Sequence, residues 1–497
     1  MERLHPSRLD ALPADVARPR FDRNALRAGI VHLGVGAFQR AHLAVVNEAA
    51  IEAGDDLCWG TIGVSLRQPD TRAALAPQGG LYTVALRDGG ADGGLNESLQ
   101  VIGNLIDVLV APDDPAAVLE RIAHPDTRIV SLTVTEKGYH REPSTGTLNA
   151  HDADIVHDRS HPRSPRTALG FIVHGLQLRR ERRLGPLTLL SCDNLPANGT
   201  TLRALVLAFA EPLDAGLRAW IASHCTFPNS MVDRIVPRTT DADRAQIAQR
   251  LGLEDAWPVV GEPFLDWVIQ DRFASGRPDW GAGGARFVDD AEPFERLKLR
   301  MVNGPHSALA YLGAMAGLRT VDRAIALPDL HRYLETLMRE EIAPTLPELP
   351  GLDLDAYRTR LLHRFANPAL QHQTHQIAMD GSQKLPQRLL GTVRDRLAAG
   401  EPIDRLGLAI AGWIHYLRGS DDAGLAHPIQ DPLAGALAEQ LALAAEAGSV
   451  HDGIARFTRF TPVFGDLGDE PRFVSAVARH ALSLKQRGVR ATLEALP

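Results

Sequence analysis

Three polar side chains stand where a helix would ordinarily bury apolar ones. In the stretch KLRMVNGPHSALAYLG, residues 298–313, Lys298, Asn303 and His306 fall at roughly 0°, 140° and 80° around a helix of about 100° per residue, and so share one side. Leu297, Leu299, Val302, Ala308, Leu309 and Leu312 already supply an apolar stripe, so the trio needs another explanation. A lysine serves as a base where burial or neighbouring cations lower its pKa. An Asn amide donates to a developing oxyanion without adding charge, and a histidine can orient either. These are parts that interconverting a secondary alcohol and a ketone on a nicotinamide cofactor requires. The pattern also admits a plainer reading, surface polar residues beside a turn broken by proline. Pro305 must either occupy the first turn of a helix capped by Asn303 or kink a longer one.

Two further stretches end an apolar strand abruptly in polar residues. One is SLTVTEKGY, residues 131–139, with Glu136 and Lys137; the other is LLSCDN, residues 189–194, with Asp193 and Asn194. Open α/β folds carry their sites at such strand ends, although ordinary turns end strands the same way. Asn194 joins Asn303 as an oxyanion donor in the scheme, with Lys298 as base and His306 orienting substrate or lysine. NSMVDR with Asp233 and DGSQKLP with Lys384 mix charge with turn formers, and alone each reads as a loop. A metal is not expected. His306 has no nearby ligand set, and His372 with His375 reads as a solvent-facing helical pair.

The elements that must position these residues follow from periodicity. Gly29 to Leu33 reads as a short buried strand, followed by Gly34, Val35, Gly36, Ala37, Phe38 and Arg40 in a glycine turn that opens a helix to about Ala53. Strand, glycine turn and helix are the opening of a dinucleotide-binding unit, with the pyrophosphate at the helix start; a plain βα turn carries the same glycines. After the next strand, Trp59 to Val64, Asp70 is the candidate acid for the ribose hydroxyls, or a turn aspartate following Pro69. The expected cofactor is NAD, and Arg67 leaves room for NADP at lower preference. Further strands are expected at 81–86, 99–103, 129–134 and 187–192. Helices are expected at 115–123 and 164–182, the latter capped by Ser164 ahead of Pro165. Beyond a Gly-rich loop at 276–284 nearly everything reads as helix: 295–317, 327–342, 354–365, 403–417, 431–447 and 470–487. The fold class is therefore an α/β, Rossmann-type N-terminal domain with a mostly parallel sheet over 1–288, and an all-α C-terminal domain over 289–497. The polar trio opens the second domain, where an inter-domain cleft would hold a substrate.

Composition bounds the rest. The chain has 497 residues, 44% hydrophobic and 23% charged, with a net charge of −8 and dispersed basic residues. That argues for two or three domains and against a nucleic-acid partner. No apolar run approaches the roughly 18 residues of a membrane span, and MERLHPSRLDALPADV lacks the apolar core of a signal peptide. Cys58, Cys192 and Cys225 form no disulfide framework or zinc knuckle, so a cytoplasmic protein is expected. The oligomeric state stays open, and a monomer is compatible with everything above.

From Ile30 to near its C terminus the chain resembles the mannitol dehydrogenase family, the polyol-specific long-chain dehydrogenases. The resemblance is carried in order by HLGVGAFQRAH, SLTVTEKGY, SCDNLPANG, FPNSMVDRIVP, EPFLDWVIQDRF, GRPDW, KLRMVNGPHSALAYLG and DGSQKLPQR. It implies a Rossmann-type domain, a helical C-terminal domain, NAD(H) or NADP(H), and hydride transfer without a metal. It also implies Lys298 as the general acid/base, Asn194 and Asn303 as oxyanion donors and His306 as the site histidine. Asp233 and Lys384 match cleft positions, and Asp70 matches an acidic position linked to NAD preference. The family includes fructuronate reductases (mannonate oxidoreductases) and mannitol 2-dehydrogenases, whose substrates differ by a carboxylate. Lys137, Arg300 and IAMDGSQKLPQRLL resemble the uronate branch, and a cation is what a carboxylate wants. AWPVV at 256–260, CDNLPANG and Asp70 resemble the mannitol enzymes, and Lys137 reads equally as a solvated loop lysine. The leading expectation is reduction of D-fructuronate to D-mannonate, with Glu136, Lys137, Asp233, Arg300 and Lys384 around the sugar acid. Oxidation of D-mannitol to D-fructose is the alternative, and an arabinitol or sorbitol dehydrogenase a more distant one.

Overall fold

The computed structural model describes residues 1–89, 95–142, 145–349 and 352–496. They form two compact units, Met1–Glu295 and Arg296–Pro497.

The first unit contains eleven described strands: β1 (Ile30–Leu33), β2 (Thr61–Ser65), β3 (Tyr82–Gly89), β4 (Leu95–Ile102), β5 (Leu105–Val110), β6 (Ile129–Leu132), β7 (Thr188–Ser191), β8 (Ser230–Asp233), β9 (Val259–Gly261), β10 (Asp266–Gln270) and β11 (Arg286–Val288). Five of them make a parallel sheet in the order β5-β2-β1-β6-β7, the arrangement of a Rossmann fold. β1, β6 and β7 are buried along their whole length, as strands covered on both faces must be. Successive residues point to opposite faces. Val31 and Leu33 join the core under the Pro115–Ile122, Ala168–Glu181 and Asn198–Ala210 helices, while Ile30 packs with the Leu43–Glu52 helix, Trp267 and Trp280. Two smaller sheets, β4-β3-β9 and β11-β10-β8, complete the unit.

Three expectations shift. The helix read from Ala37 to Ala53 breaks at His42 (φ −123°, ψ −81°) into Ala37–Ala41 and Leu43–Glu52. The helix expected from Ser164 starts at Ala168, where the Thr167 side chain accepts the Gly170 N–H. Asp158 fixes that cap by accepting both the N–H and the hydroxyl of Thr167 at 2.8 Å. β5 and β8 to β11 are additional strands.

The second unit is helical around a core that includes Tyr311, Trp413, Phe457, Phe464 and Phe473. Leu354–Phe365 forms as read, and Asp404–Tyr416 lies within the expected 403–417. No helix among the described residues is long and apolar enough to cross a membrane.

Candidate active site

The single helix expected over 295–317 is three consecutive pieces: an α-helix Glu292–Leu297, a π-helical turn Lys298–Asn303 and an α-helix Gly304–Met315. The reason is Pro305, which has no N–H and whose ring would collide with the carbonyl four residues back. In the wider turn the Gly304 N–H reaches back five residues to the Leu299 carbonyl. Asn303 keeps helical dihedrals (φ −71°, ψ −33°) and makes no side-chain cap bond, so it does not cap the helix. The i→i+5 bonding of a π turn brings Lys298 and Asn303 nearer to one face than the 140° separation of an α-helix. Two more π turns, Leu337–Ile342 and Pro386–Leu390, also adjoin prolines, Pro344 and Pro386.

Lys298 and Asn303 are buried at 7% exposure each. Asn303 Nδ2 and His306 Nε2 are sealed from solvent and have no hydrogen-bond partner among the described residues. The His306 ring stacks on Phe365 with centroids 4.9 Å apart and meets His372 edge-on at 5.4 Å. Burial, reinforced by His372, Arg388, Arg364 and Lys384, holds the His306 imidazole well below its ordinary range, so it stays neutral. Of these cations only Lys384 was expected. Arg388 donates from Nη1 to Ser307 Oγ at 3.0 Å, and Lys384 donates to the Ile377 carbonyl at 3.1 Å. Gly304 lets the segments close up, since a Cβ there would meet the Arg388 carbonyl at 2.8 Å. Arg300 is engaged elsewhere: it pairs with Asp395 at 2.6 Å and donates to the Thr345 carbonyl at 3.2 Å. His372 and His375 are not a solvent-facing pair. His372 lies against His306, whereas His375 contacts the Tyr416 hydroxyl at 3.2 Å. No group of three or more metal-ligating side chains occurs among the described residues.

In the first unit the glycine turn suits a dinucleotide. Gly34 has φ +92°, and a Cβ would meet the Thr133 carbonyl at 2.2 Å. A Cβ on Gly36 would have nothing nearer than 3.8 Å, leaving its approach open. The N–H groups of Gly34 and Gly36 are taken by Val64 and Gly34 carbonyls. The donors left for a pyrophosphate are those of Ala37, Phe38 and Gln39, in the first helical turn, where no intrahelical acceptor exists. Val35 is buried against Gly63. Arg40 belongs to the packing: its guanidinium donates to the Trp257 carbonyl and lies 5.2 Å from the centre of the Tyr82 ring. Burial lowers its pKa to about 10. Asp70 is exposed and begins the Asp70–Leu75 helix. At the carboxyl ends of β2 and β5, a cavity of about 320 Å³ is lined by Leu66, Ala111, Pro112, Pro115, His157 and Arg166. Nothing in the local sequence marks it.

At the ends of β6 and β7, Asp193 is buried and accepts from the Val134 and Thr135 N–H groups at 3.0 and 2.9 Å and from the Tyr139 hydroxyl at 2.8 Å. Thr135 has φ 62° and ψ 169°, a region nearly reserved for glycine that costs about 1–3 kcal/mol. Glu136 and Lys137, which follow it, are exposed. Asn194 lies one residue beyond Asp193 and is half-buried; Asp233 ends β8, buried and opposite Asp266. Glu295, unmarked by sequence reasoning, accepts the Ala197 N–H with both carboxylate oxygens, at 3.0 and 2.9 Å. It sits three residues before Lys298, and that spacing was its only signal.

The architecture and motifs find their counterpart among known proteins. Residues 28–282 match the mannitol dehydrogenase Rossmann domain, and residues 290–485 match the mannitol dehydrogenase C-terminal domain. The chain belongs to the mannitol dehydrogenase family. It is thus an oxidoreductase of that family, as the resemblance implied. D-mannonate oxidoreductase of Escherichia coli (strain K12) is 43% identical over 97% of this chain and 98% of that protein. Mannitol 2-dehydrogenase of Phaeosphaeria nodorum is 40% identical over 96% of this chain and 83% of its own length. Among solved structures, Pseudomonas fluorescens mannitol 2-dehydrogenase in complex with NAD and D-mannitol matches with a TM-score of 0.90 at 38% identity, covering 99% of both chains.

Proposed function

We propose that this protein is an NADH-dependent reductase of an open-chain sugar acid, converting D-fructuronate to D-mannonate without a metal. The observation that carries the acid over the polyol is the set of cations around His306. Arg364, Lys384 and Arg388 all bear on one neutral imidazole, and a substrate carboxylate answers that charge where a hydroxymethyl group does not. The 43% identity to an E. coli D-mannonate oxidoreductase supports the same reading. NAD is preferred over NADP because the Asp70 carboxylate would repel a 2′-phosphate.

Bound NADH supplies the hydride. Lys298, as general acid, gives its proton to the carbonyl oxygen as the alcohol forms, and as base it takes that proton back in the oxidative direction. The Asn303 amide, with no partner of its own among the described residues, donates to the developing alkoxide together with Asn194. Neutral His306 offers Nε2 to a substrate hydroxyl or to the lysine. Glu136, Lys137, Asp233 and Lys384 complete the substrate contacts. Arg364 and Arg388, whose charges act on His306, take the carboxylate role that the resemblance gives to Arg300.

Initial rates with NADH on fructuronate, tagaturonate and fructose test this. Fructuronate is expected to give the highest kcat/KM, unchanged by EDTA. Fructose as the best substrate would move the assignment to mannitol 2-dehydrogenase, the reading favoured by the NAD and D-mannitol complex that this fold matches.

A further inference from the structure

Asp193 is absent from the chemistry above, yet its surroundings are the most fully connected at the strand ends. Its carboxylate accepts three donors: the N–H groups of Val134 and Thr135 and the hydroxyl of Tyr139. The Tyr139 oxygen lies 2.5 Å from Ser191 Oγ. The Ser191 carbonyl in turn accepts the Ser230 hydroxyl at 2.7 Å. Asn198 donates from Nδ2 to the Ser230 carbonyl at 2.8 Å and to the Asp193 carbonyl at 3.1 Å, and its Oδ1 accepts the Ser230 N–H at 2.9 Å. The chain of bonds therefore closes on itself and ties together the ends of β6 and β7 and the start of β8. Each of those segments leads into a proposed site residue: Glu136 and Lys137, Asn194, and Asp233.

We infer that Asp193 is a positioning residue: its carboxylate holds the turn at Thr135 in its left-handed conformation and so sets the loop bearing Glu136 and Lys137 against Asn194. Three features argue for it. Thr135 is β-branched with φ 62°, a conformation that persists only where its surroundings impose it, and the Asp193 bond to its N–H is the imposing contact. All three partners of the carboxylate are donors, so it acts as a pure acceptor with no proton of its own to offer substrate. On the other side of the strand end, Thr133 donates from its hydroxyl to the Gly34 carbonyl at 2.8 Å. The segment 133–135 thus spans from the glycine turn to Asp193, beside the point where the strand order reverses and a Rossmann crevice lies. Burial raises the Asp193 pKa to about 6, against the three hydrogen bonds that lower it, so a geometry built for the ionised form is held close to its limit.

The inference rests on the oxidoreductase reading but on no particular ketone. Asp193→Asn is nearly isosteric and puts an amide N–H₂ where a backbone donor needs an acceptor. Two measurements on the full-length variant test it. Hydrogen exchange needs no turnover: peptides covering 130–140 are expected to exchange about tenfold faster, while those covering 304–315 are unchanged. Steady-state kinetics use whichever of fructuronate, tagaturonate or fructose the wild type reduces fastest. The ketone KM is expected to rise about fivefold and kcat to fall about tenfold, with the NADH dissociation constant moving less than about twofold. Partial unfolding would lower the active fraction without moving KM. If Asp193→Asn does not fold, Tyr139→Phe removes one of the three donors, keeps the ring, and should move exchange and KM about twofold in the same directions. Unchanged exchange over 130–140, or an unchanged ketone KM whatever the melting temperature does, overturns the inference. A wild type that reduces none of the three ketones overturns the proposed function, and the exchange measurement still decides whether Asp193 holds the turn.

Discussion

Asp193 in the first unit and Asn303 in the second are both buried polar side chains, and the two units treat them in opposite ways. At the strand ends the buried Asp193 carboxylate is saturated by three donors, and its neighbours continue into a closed ring of hydrogen bonds. In the π turn of the helical unit, Asn303 Nδ2 and His306 Nε2 are sealed from water with no partner among the described residues. A buried donor or acceptor left unpaired costs about 1–3 kcal/mol, so natural structures keep few of them. Polar side chains that are complete within the fold make a scaffold. Asn303 Nδ2, left incomplete in the same π turn as Lys298, has hydrogen-bonding capacity that the fold does not use.

The largest effects should come from the π turn and the helix it opens. Lys298→Ala is expected to lower kcat about a thousandfold, the range of a lost general acid/base, measured by NADH oxidation with the preferred ketone. Asn303→Ala should lower kcat about a hundredfold, as removal of one oxyanion donor does. Stability gives the contrast its sharper edge. Removing an unsatisfied buried amide should leave the melting temperature level or raised, whereas Asp193→Asn should lower it, because an N–H₂ replaces one of the two accepting oxygens and leaves at least one of the three donors unpaired. A drop in melting temperature for Asn303→Ala as large as that for Asp193→Asn would break the comparison. So would turnover by Lys298→Ala within tenfold of wild type.

The two halves also respond to pH with opposite signs. Burial, with Lys384 nearby, lowers the His372 pKa from 6.5 to about 4. Between those values the unfolded chain binds the proton and the folded protein does not, so this histidine makes stability rise with pH. Asp193 is raised from 3.8 to about 6 by burial, so between those values the folded protein holds the extra proton and stability falls as pH rises. From about pH 4 to 6, His372→Asn should therefore flatten the climb of melting temperature with pH, and Asp193→Asn should steepen it. Thermal melts at half-unit pH steps read both slopes, and slopes that change in the same sense would contradict the assignment. His306, held neutral, should contribute no inflection to the rate between pH 6 and 9.

Much of this scaffold was legible because it rests on local pattern. The buried run at Ile30–Leu33, the glycine turn and the Leu354–Phe365 helix are each carried by neighbouring residues. The π turns were not legible. Over six residues, apolar spacing does not separate a four-residue from a five-residue repeat, and only Pro305 hinted that the helix could not be regular. The packing of Arg40 was not legible either, because the Trp257 carbonyl that it donates to lies more than two hundred residues away. The ring around Asp193 joins segments from Val134 to Ser230, so no window along the chain contains it. The cations around His306 were hidden for the same reason: Arg364 and Arg388 come from separate helices.

The smallest effects separate two arginines of the helical unit, and with them the acid from the polyol. Arg300 is the residue that sequence similarity singles out, but its guanidinium is committed to Asp395 and the Thr345 carbonyl. Asp395 is half exposed, so the pair is worth less than about 1 kcal/mol. Arg300→Met should cost about that much stability and leave the ratio of kcat/KM for fructuronate over fructose where it was. Arg388 bears on the neutral His306 and touches Ser307 at the start of the same helix. Arg388→Met should lower that ratio about tenfold, the value of one charge-assisted hydrogen bond to the carboxylate, with kcat on fructose nearly unchanged. If Arg300→Met shifts the ratio and Arg388→Met does not, the carboxylate lies against the π turn's own arginine, and the helical unit reads charge through the residue that its ion pair had seemed to remove.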